Sequence, residues 1–153
     1  MQTMNQALLI AELRRDEGVR YRPYLDTATP PRRTVGVGHN MDAKPLPSGW
    51  VFPLSDAQVN QLLASDLQAV YSGLDAKLPW WRTLDEVRQR VVANMAFNLG
   101  VGGLLGFPNT LAVMRLSNYA SAAAHMKASA WYKQVGQRAV RLCQAMETGV
   151  MPS

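Results

Sequence analysis

The chain has 153 residues, 48% of them hydrophobic, with glycine and proline at ordinary levels, which allows one substantial buried core and argues against a disordered or low-complexity segment. Its one cysteine, Cys143, excludes an intramolecular disulfide and argues against a structural zinc site, a usage suited to a reducing compartment. The net charge of +5 favours polyanionic partners, but nucleic acid, anionic lipid and bacterial envelope all qualify.

The chain start reaches Glu12, Arg14, Arg15 and Asp16 before any long apolar run, so no signal peptide is expected and the cytoplasm is the expected location. Leu9, Ile10 and Leu13 recur at helical spacing, predicting a helix over 5–17 that stops at Glu17 before Gly18. Two short strands are predicted at 21–25 and 34–38, joined by a loop holding Pro30 and Pro31, with Pro23 restricting the first strand to a sheet edge. Residues 39–53 read as an irregular loop with a third short strand at 50–52. Ser55 to Gln58 forms a capping-box pattern, and Val59, Leu62, Leu63, Leu67 and Val70 predict an amphipathic helix over 55–72. A second such pattern, Thr83 to Glu86, opens a wide-faced central helix that Gly100, Gly102 and Gly103 should end. Shorter helices are expected at 110–116, 119–128 and 137–147. Residues 91–114 carry no charge and are long enough to span a bilayer, but Pro108, three asparagines and four glycines interrupt the run, so it reads as a buried helix and a turn.

The usual catalytic constellations are missing. His39 and His125 form no metal-binding pair, there is no Gly-x-Ser-x-Gly, Cys143 sits among apolar helical residues, and Gly36-Val-Gly38 lacks the rest of a dinucleotide fingerprint. No metal and no cofactor are therefore expected. A carboxylate pair remains, Glu17 at a helix end and Asp26 where a strand enters a loop. Glycosidic cleavage needs such a pair, one to protonate the leaving oxygen and one to activate water or attack the sugar carbon. Two neighbouring carboxylates are commonplace by themselves.

Their setting is specific. Asp16-Glu17-Gly18, Tyr24-Leu25-Asp26-Thr27 and Thr34-Val35-Gly36-Val37-Gly38-His39, in that order, resemble the phage-type lysozyme family. The likeness continues through Asn94 to Asn98, Gly106 to Leu111, Trp131-Tyr132, Arg138 and Thr148-Gly149. The resemblance implies a mainly helical α+β fold in one lysozyme-like domain spanning 1–153. Its sheet lobe would take about 18–54, an interlobe helix 55–72, and a helical lobe 73–153 together with helix 5–17, with the substrate groove between the lobes.

It further implies Glu17 as proton donor, Asp26 as the carboxylate assisting water, and Thr34 as the hydroxyl positioning that water. Gly38, Asn98, Phe107, Asn109 and Thr110 would line the sugar groove, Arg138 would stand near Glu17, and His39 would pair with Asp66 in a supporting role. Compared with the best-known family members, the loop from Asp26 to Thr34 is longer and the stretch from His39 to Ser55 shorter. The expected protein is a monomeric endolysin that hydrolyses the β-1,4 bond between N-acetylmuramic acid and N-acetylglucosamine. It would act on peptidoglycan glycan strands after a separate holin opens the membrane. A virion-associated wall-degrading protein, or a catalytically silent wall-binding one, is the alternative. A basic nucleic-acid-binding domain rests on net charge alone, and no sequence-specific nucleic-acid binding is expected. Whether cleavage inverts or retains configuration depends on the carboxylate separation and stays open at this stage.

Overall fold

The structure is a computed structural model that describes residues 2–153. Seven α-helices and a three-stranded antiparallel sheet make up a lysozyme-like α+β fold among these residues. The chain divides into two compact units, one of residues 7–69 and one that takes 70–153 and the first residues of the chain.

In the unit of residues 7–69, helix α1 (Gln6–Glu17) buries Leu9 and Leu13, four residues apart on one face. Gly18 ends it at φ 74°, its N–H donating to the Arg14 carbonyl at 3.0 Å, a turn only glycine makes at no steric cost. The sheet follows in the order β1 (Arg20–Leu25), β2 (Arg33–Gly36), β3 (His39–Asn40). β1 lies at the edge, as Pro23 requires, and its pairing with β2 is interrupted by a register shift between Arg20 and Tyr24.

The sequence placed the third strand wrongly. Gly36 and Gly38 adopt φ 69° and 66°, reversing the chain so tightly that β2 stops at Gly36 and His39 and Asn40 return to pair with Val35 and Thr34. Residues 50–52 form no strand; they lie between Gly49 and Pro53, with Val51 exposed.

Helix α2 (Asp56–Lys77) opens with the expected reciprocal cap: Ser55 N–H donates to Gln58 Oε1 at 2.9 Å, and Gln58 N–H donates to Ser55 Oγ at 3.1 Å. It runs past the expected end at 72 because Tyr71 and Leu74 continue its buried stripe. Gly73, the first residue past the expected end, does not stop the helix. It is instead a packing residue, since a Cβ there would come within 2.8 Å of Val101 Cγ2. The unit of residues 7–69 thus holds most of α1, the sheet and the first turns of α2, whereas the sequence grouped helix 5–17 with the helical lobe.

In the other unit, a 3-10 turn at Pro79–Thr83 precedes α3 (Glu86–Leu104). The second capping box does not form: Asp85 caps α3 by accepting from Arg88 N–H at 3.2 Å, while the Thr83 hydroxyl donates to the Trp80 carbonyl within the 3-10 turn. Gly100 does not end α3 but only breaks its geometry at φ 76°, ψ 155°, and helical turns resume to Leu104. Val91 to Ala96 are buried throughout, as a central helix demands. Helices α4 (Pro108–Arg115), α5 (Tyr119–Lys127), α6 (Ala130–Val135) and α7 (Gln137–Thr148) follow. The six-residue α6, capped by Ser129, is too short to show a hydrophobic period and went unpredicted. The uncharged stretch 91–114 is shared between α3 and α4, which meet at 118°, and no single described helix is long and apolar enough to cross a membrane.

Candidate active site

Glu17, Asp26, Thr34, Gly38, His39 and Asp66 all belong to the unit of residues 7–69. The helix end at Gly18 fixes where the Glu17 side chain emerges. It lies against the β2–β3 turn, where a Cβ added to Gly38 would stand 3.4 Å from Glu17 Cδ and 3.5 Å from each carboxylate oxygen. Glycine at this position lets the turn backbone approach the carboxylate, and the positive φ of 66° makes any other residue costly there.

Asp26 follows the last residue of β1. Its carboxylate is held by its own loop: Oδ1 accepts from Arg32 N–H at 2.8 Å and Ala28 N–H at 3.1 Å, and Oδ2 accepts from Arg32 Nε at 2.8 Å. The Arg32 N–H above all, then the Ala28 N–H and the Arg32 guanidinium, keep the carboxyl below the usual carboxylate range against the opposing effect of burial. Thr34, inside β2 and only 4% exposed, donates its hydroxyl proton to the Arg32 carbonyl at 3.0 Å. The same carbonyl accepts from Asp26 N–H at 3.0 Å. Asp26 and Thr34 therefore meet at Arg32. Tyr24, the register partner of Thr34, feels both carboxylates: burial first, then the charges of Glu17 and Asp26, push its phenol above the ordinary tyrosine value, with Arg20 opposing.

His39 stands between two acceptors. Its Nδ1 is 2.8 Å from Asp66 Oδ2 and its Nε2 is 2.8 Å from the Lys44 carbonyl. A carbonyl can only accept, so Nε2 carries a proton, and the carboxylate favours a second one on Nδ1. The bond to Asp66 accordingly raises the pKa of His39, against desolvation.

The remaining candidates lie in the helical unit. Asn98 Oδ1 accepts from Trp131 Nε1 at 2.9 Å, and the Phe107 ring meets Trp131 edge-on at 6.2 Å between centroids. Asn98 is thus oriented from its carbonyl side, which turns its amide donors elsewhere. Asn109 is exposed at the start of α4, whereas Thr110 is 4% exposed. Arg138 is buried and donates from Nε to Asn94 Oδ1 at 2.9 Å. Burial also pushes the Cys143 thiol up to about 11, which suits an inert core residue. Among the described residues, no group of three or more His, Cys, Asp or Glu side chains could hold a metal ion.

The family model for phage lysozyme matches residues 14–145. The chain belongs to the phage lysozyme family. It is 28% identical to the pre-baseplate central spike protein Gp5 of Enterobacteria phage T4, over 97% of this chain but 29% of the spike protein. It is 26% identical to the probable T4-type lysozyme 1 of Dictyostelium discoideum, over 91% of this chain and 93% of that one. The endolysin of Salmonella phage P22 is 30% identical over 74% of this chain and 75% of its own. The chain therefore spans less than a third of the spike protein and nearly all of the lysozyme.

Arg32 is the residue that sequence reasoning missed. The available signal was a cation across a proline-containing loop from a catalytic candidate, but Arg33 beside it offered the same signal and pairs instead with Asp42 at 3.0 Å. Only the register of β1 on β2 decides between them.

Proposed function

We propose that this protein is a muramidase that hydrolyses the β-1,4 bond between N-acetylmuramic acid and N-acetylglucosamine in peptidoglycan. The observation that carries the proposal is the grouping of Glu17 on the β2–β3 turn with Asp26 and Thr34 tied to one residue, in a phage lysozyme chain. Glu17 donates a proton to the departing glycosidic oxygen as the bond to the sugar carbon breaks. Asp26, kept ionised by its loop, stabilises the oxocarbenium-like charge and takes a proton from the attacking water. The Thr34 hydroxyl, with lone pairs left after donating to Arg32, accepts a hydrogen bond from that water. In the helical unit, Asn98, Phe107 and Asn109 carry amides and an aromatic ring of the kind that suits N-acetylated sugars.

Glu17→Gln keeps size and hydrogen-bonding capacity but removes the proton. Muropeptide release from purified sacculi should fall by at least the roughly 10²- to 10⁴-fold that general acid catalysis contributes. A folded Glu17→Gln protein that works at the wild-type rate would remove Glu17 from the mechanism. Lysis from the host cytoplasm, after a holin opens the membrane, is the biological role that the endolysin likeness supports. The likeness to a spike protein over 97% of the chain favours a second role on the virion. Mass spectrometry of purified particles separates them, since a lysis enzyme is absent from the particle and a virion enzyme is stoichiometric with it.

A further inference from the structure

We propose that Arg32 is a positioning residue for Asp26 and Thr34, an inference that rests on the functional reading above. Three of its chemical groups act at once. Its backbone N–H donates to Asp26 Oδ1 at 2.8 Å, its side-chain Nε donates to Asp26 Oδ2 at 2.8 Å, and its carbonyl accepts the Thr34 hydroxyl proton at 3.0 Å. The Asp26 N–H closes the loop on that same carbonyl.

The backbone bonds pin Oδ1 and the threonine hydroxyl, and they survive any change of side chain. Oδ2 is different, because among the described residues its protein donor is Nε alone. The guanidinium therefore sets the plane of the carboxylate, which decides where its lone pairs point. It does so from the solvent side, with the arginine side chain 55% exposed over an aspartate side chain at 21%. Asp26 also acts electrostatically on the Tyr24 phenol and on Asp42, and Asp42 is itself paired with Arg33. An ordinary exposed ion pair contributes little to stability. A pair that orients a catalytic carboxylate and keeps it ionised should instead be visible in kinetics.

The test compares Arg32→Gln and Arg32→Lys in the full chain. In Arg32→Gln, the Asp26 carboxyl followed by ¹³C NMR titrates at higher pH than in the wild type. The acidic limb of kcat/KM on purified sacculi moves up with it, and the pH-independent plateau falls several-fold. Lysine restores the limb, since the charge returns, and restores the plateau only in part, since its ammonium lacks the planar fork. A limb or a carboxyl titration that stays in place in Arg32→Gln, or a plateau that stays at the wild-type level, overturns the proposal. Asp26→Asn tests the underlying reading separately: if that variant keeps wild-type turnover, Asp26 has no catalytic role, whatever Arg32 does to its titration.

Discussion

Gly38 shows how a residue without a side chain can shape a carboxylate. Alanine there must adopt a left-handed conformation, at a cost of about 1–2 kcal/mol, and its methyl would come into van der Waals contact with Glu17 Cδ at 3.4 Å. Gly49 has a similar positive φ, 87°, and nothing within 4 Å of an added Cβ. Gly38→Ala and Gly49→Ala should therefore lose comparable melting temperature, while only Gly38→Ala loses kcat on sacculi. Equal activity in the two variants would show that Gly38 serves the backbone alone. At this scale the sequence was informative wherever residue type restricts chemistry. Two glycines spaced one residue apart at the end of a strand suit a turn that needs left-handed backbone, and both adopt positive φ here. What it could not show was direction: Thr34 would ordinarily be a solvent-facing strand threonine, yet it is buried with its hydroxyl on Arg32.

Helices announce themselves through caps and stripes: α2 was legible from both, and α3 from its wide apolar face, although the Thr83 to Glu86 box expected to open it does not form. Their ends were harder, because Gly73 and Gly100 carry the composition of a stop without acting as one: close packing against Val101 and a local break override it. The same helix α2 presents Asp66 to His39 of β3, and this pair makes the link between elements testable. The His39 pKa is raised in the folded protein, so the protonated pair contributes its full stability below the unfolded histidine value of about 6.5 and loses it as pH rises through the raised one. Asp66→Ala should cost about 1.5–3 kcal/mol, the range for a hydrogen bond to a charged group. Each kcal/mol corresponds to about 2–4 °C in a chain of this size. The drop in Tm, measured by circular dichroism, should be larger at pH 5.5 than at pH 9, with muropeptide release per folded molecule retained. A drop independent of pH would show that His39 does not titrate against Asp66.

For the whole molecule, charge matters through what remains after local pairing. Asp16, Asp26, Asp42, Asp56, Asp66, Asp75, Asp85, Glu86 and Glu147 each hold a basic side chain within 4.0 Å, so most of the negative charge is neutralised in place. The net +5 therefore survives as a cationic surplus that sequence counting captured, although counting could not say which arginines were already engaged. On the proposed muramidase reading, a cationic enzyme on a polyanionic wall gains encounter rate and residence from long-range attraction. That attraction is screened within about 10 Å at 0.1 M salt and about 3 Å at 1 M. Co-sedimentation of the Glu17→Gln protein with purified sacculi separates attachment from cleavage. Retention should fall steeply between 0.05 and 1 M sodium chloride, and should fall at low salt once the wall carboxylates are amidated. The paired aspartates make the second arm informative, because amidation changes only the wall and leaves the internal ion pairs of the protein intact. Retention that ignores both salt and amidation would mean that the wall is held by uncharged contacts with the sugars, and that the surplus charge has no part in finding it.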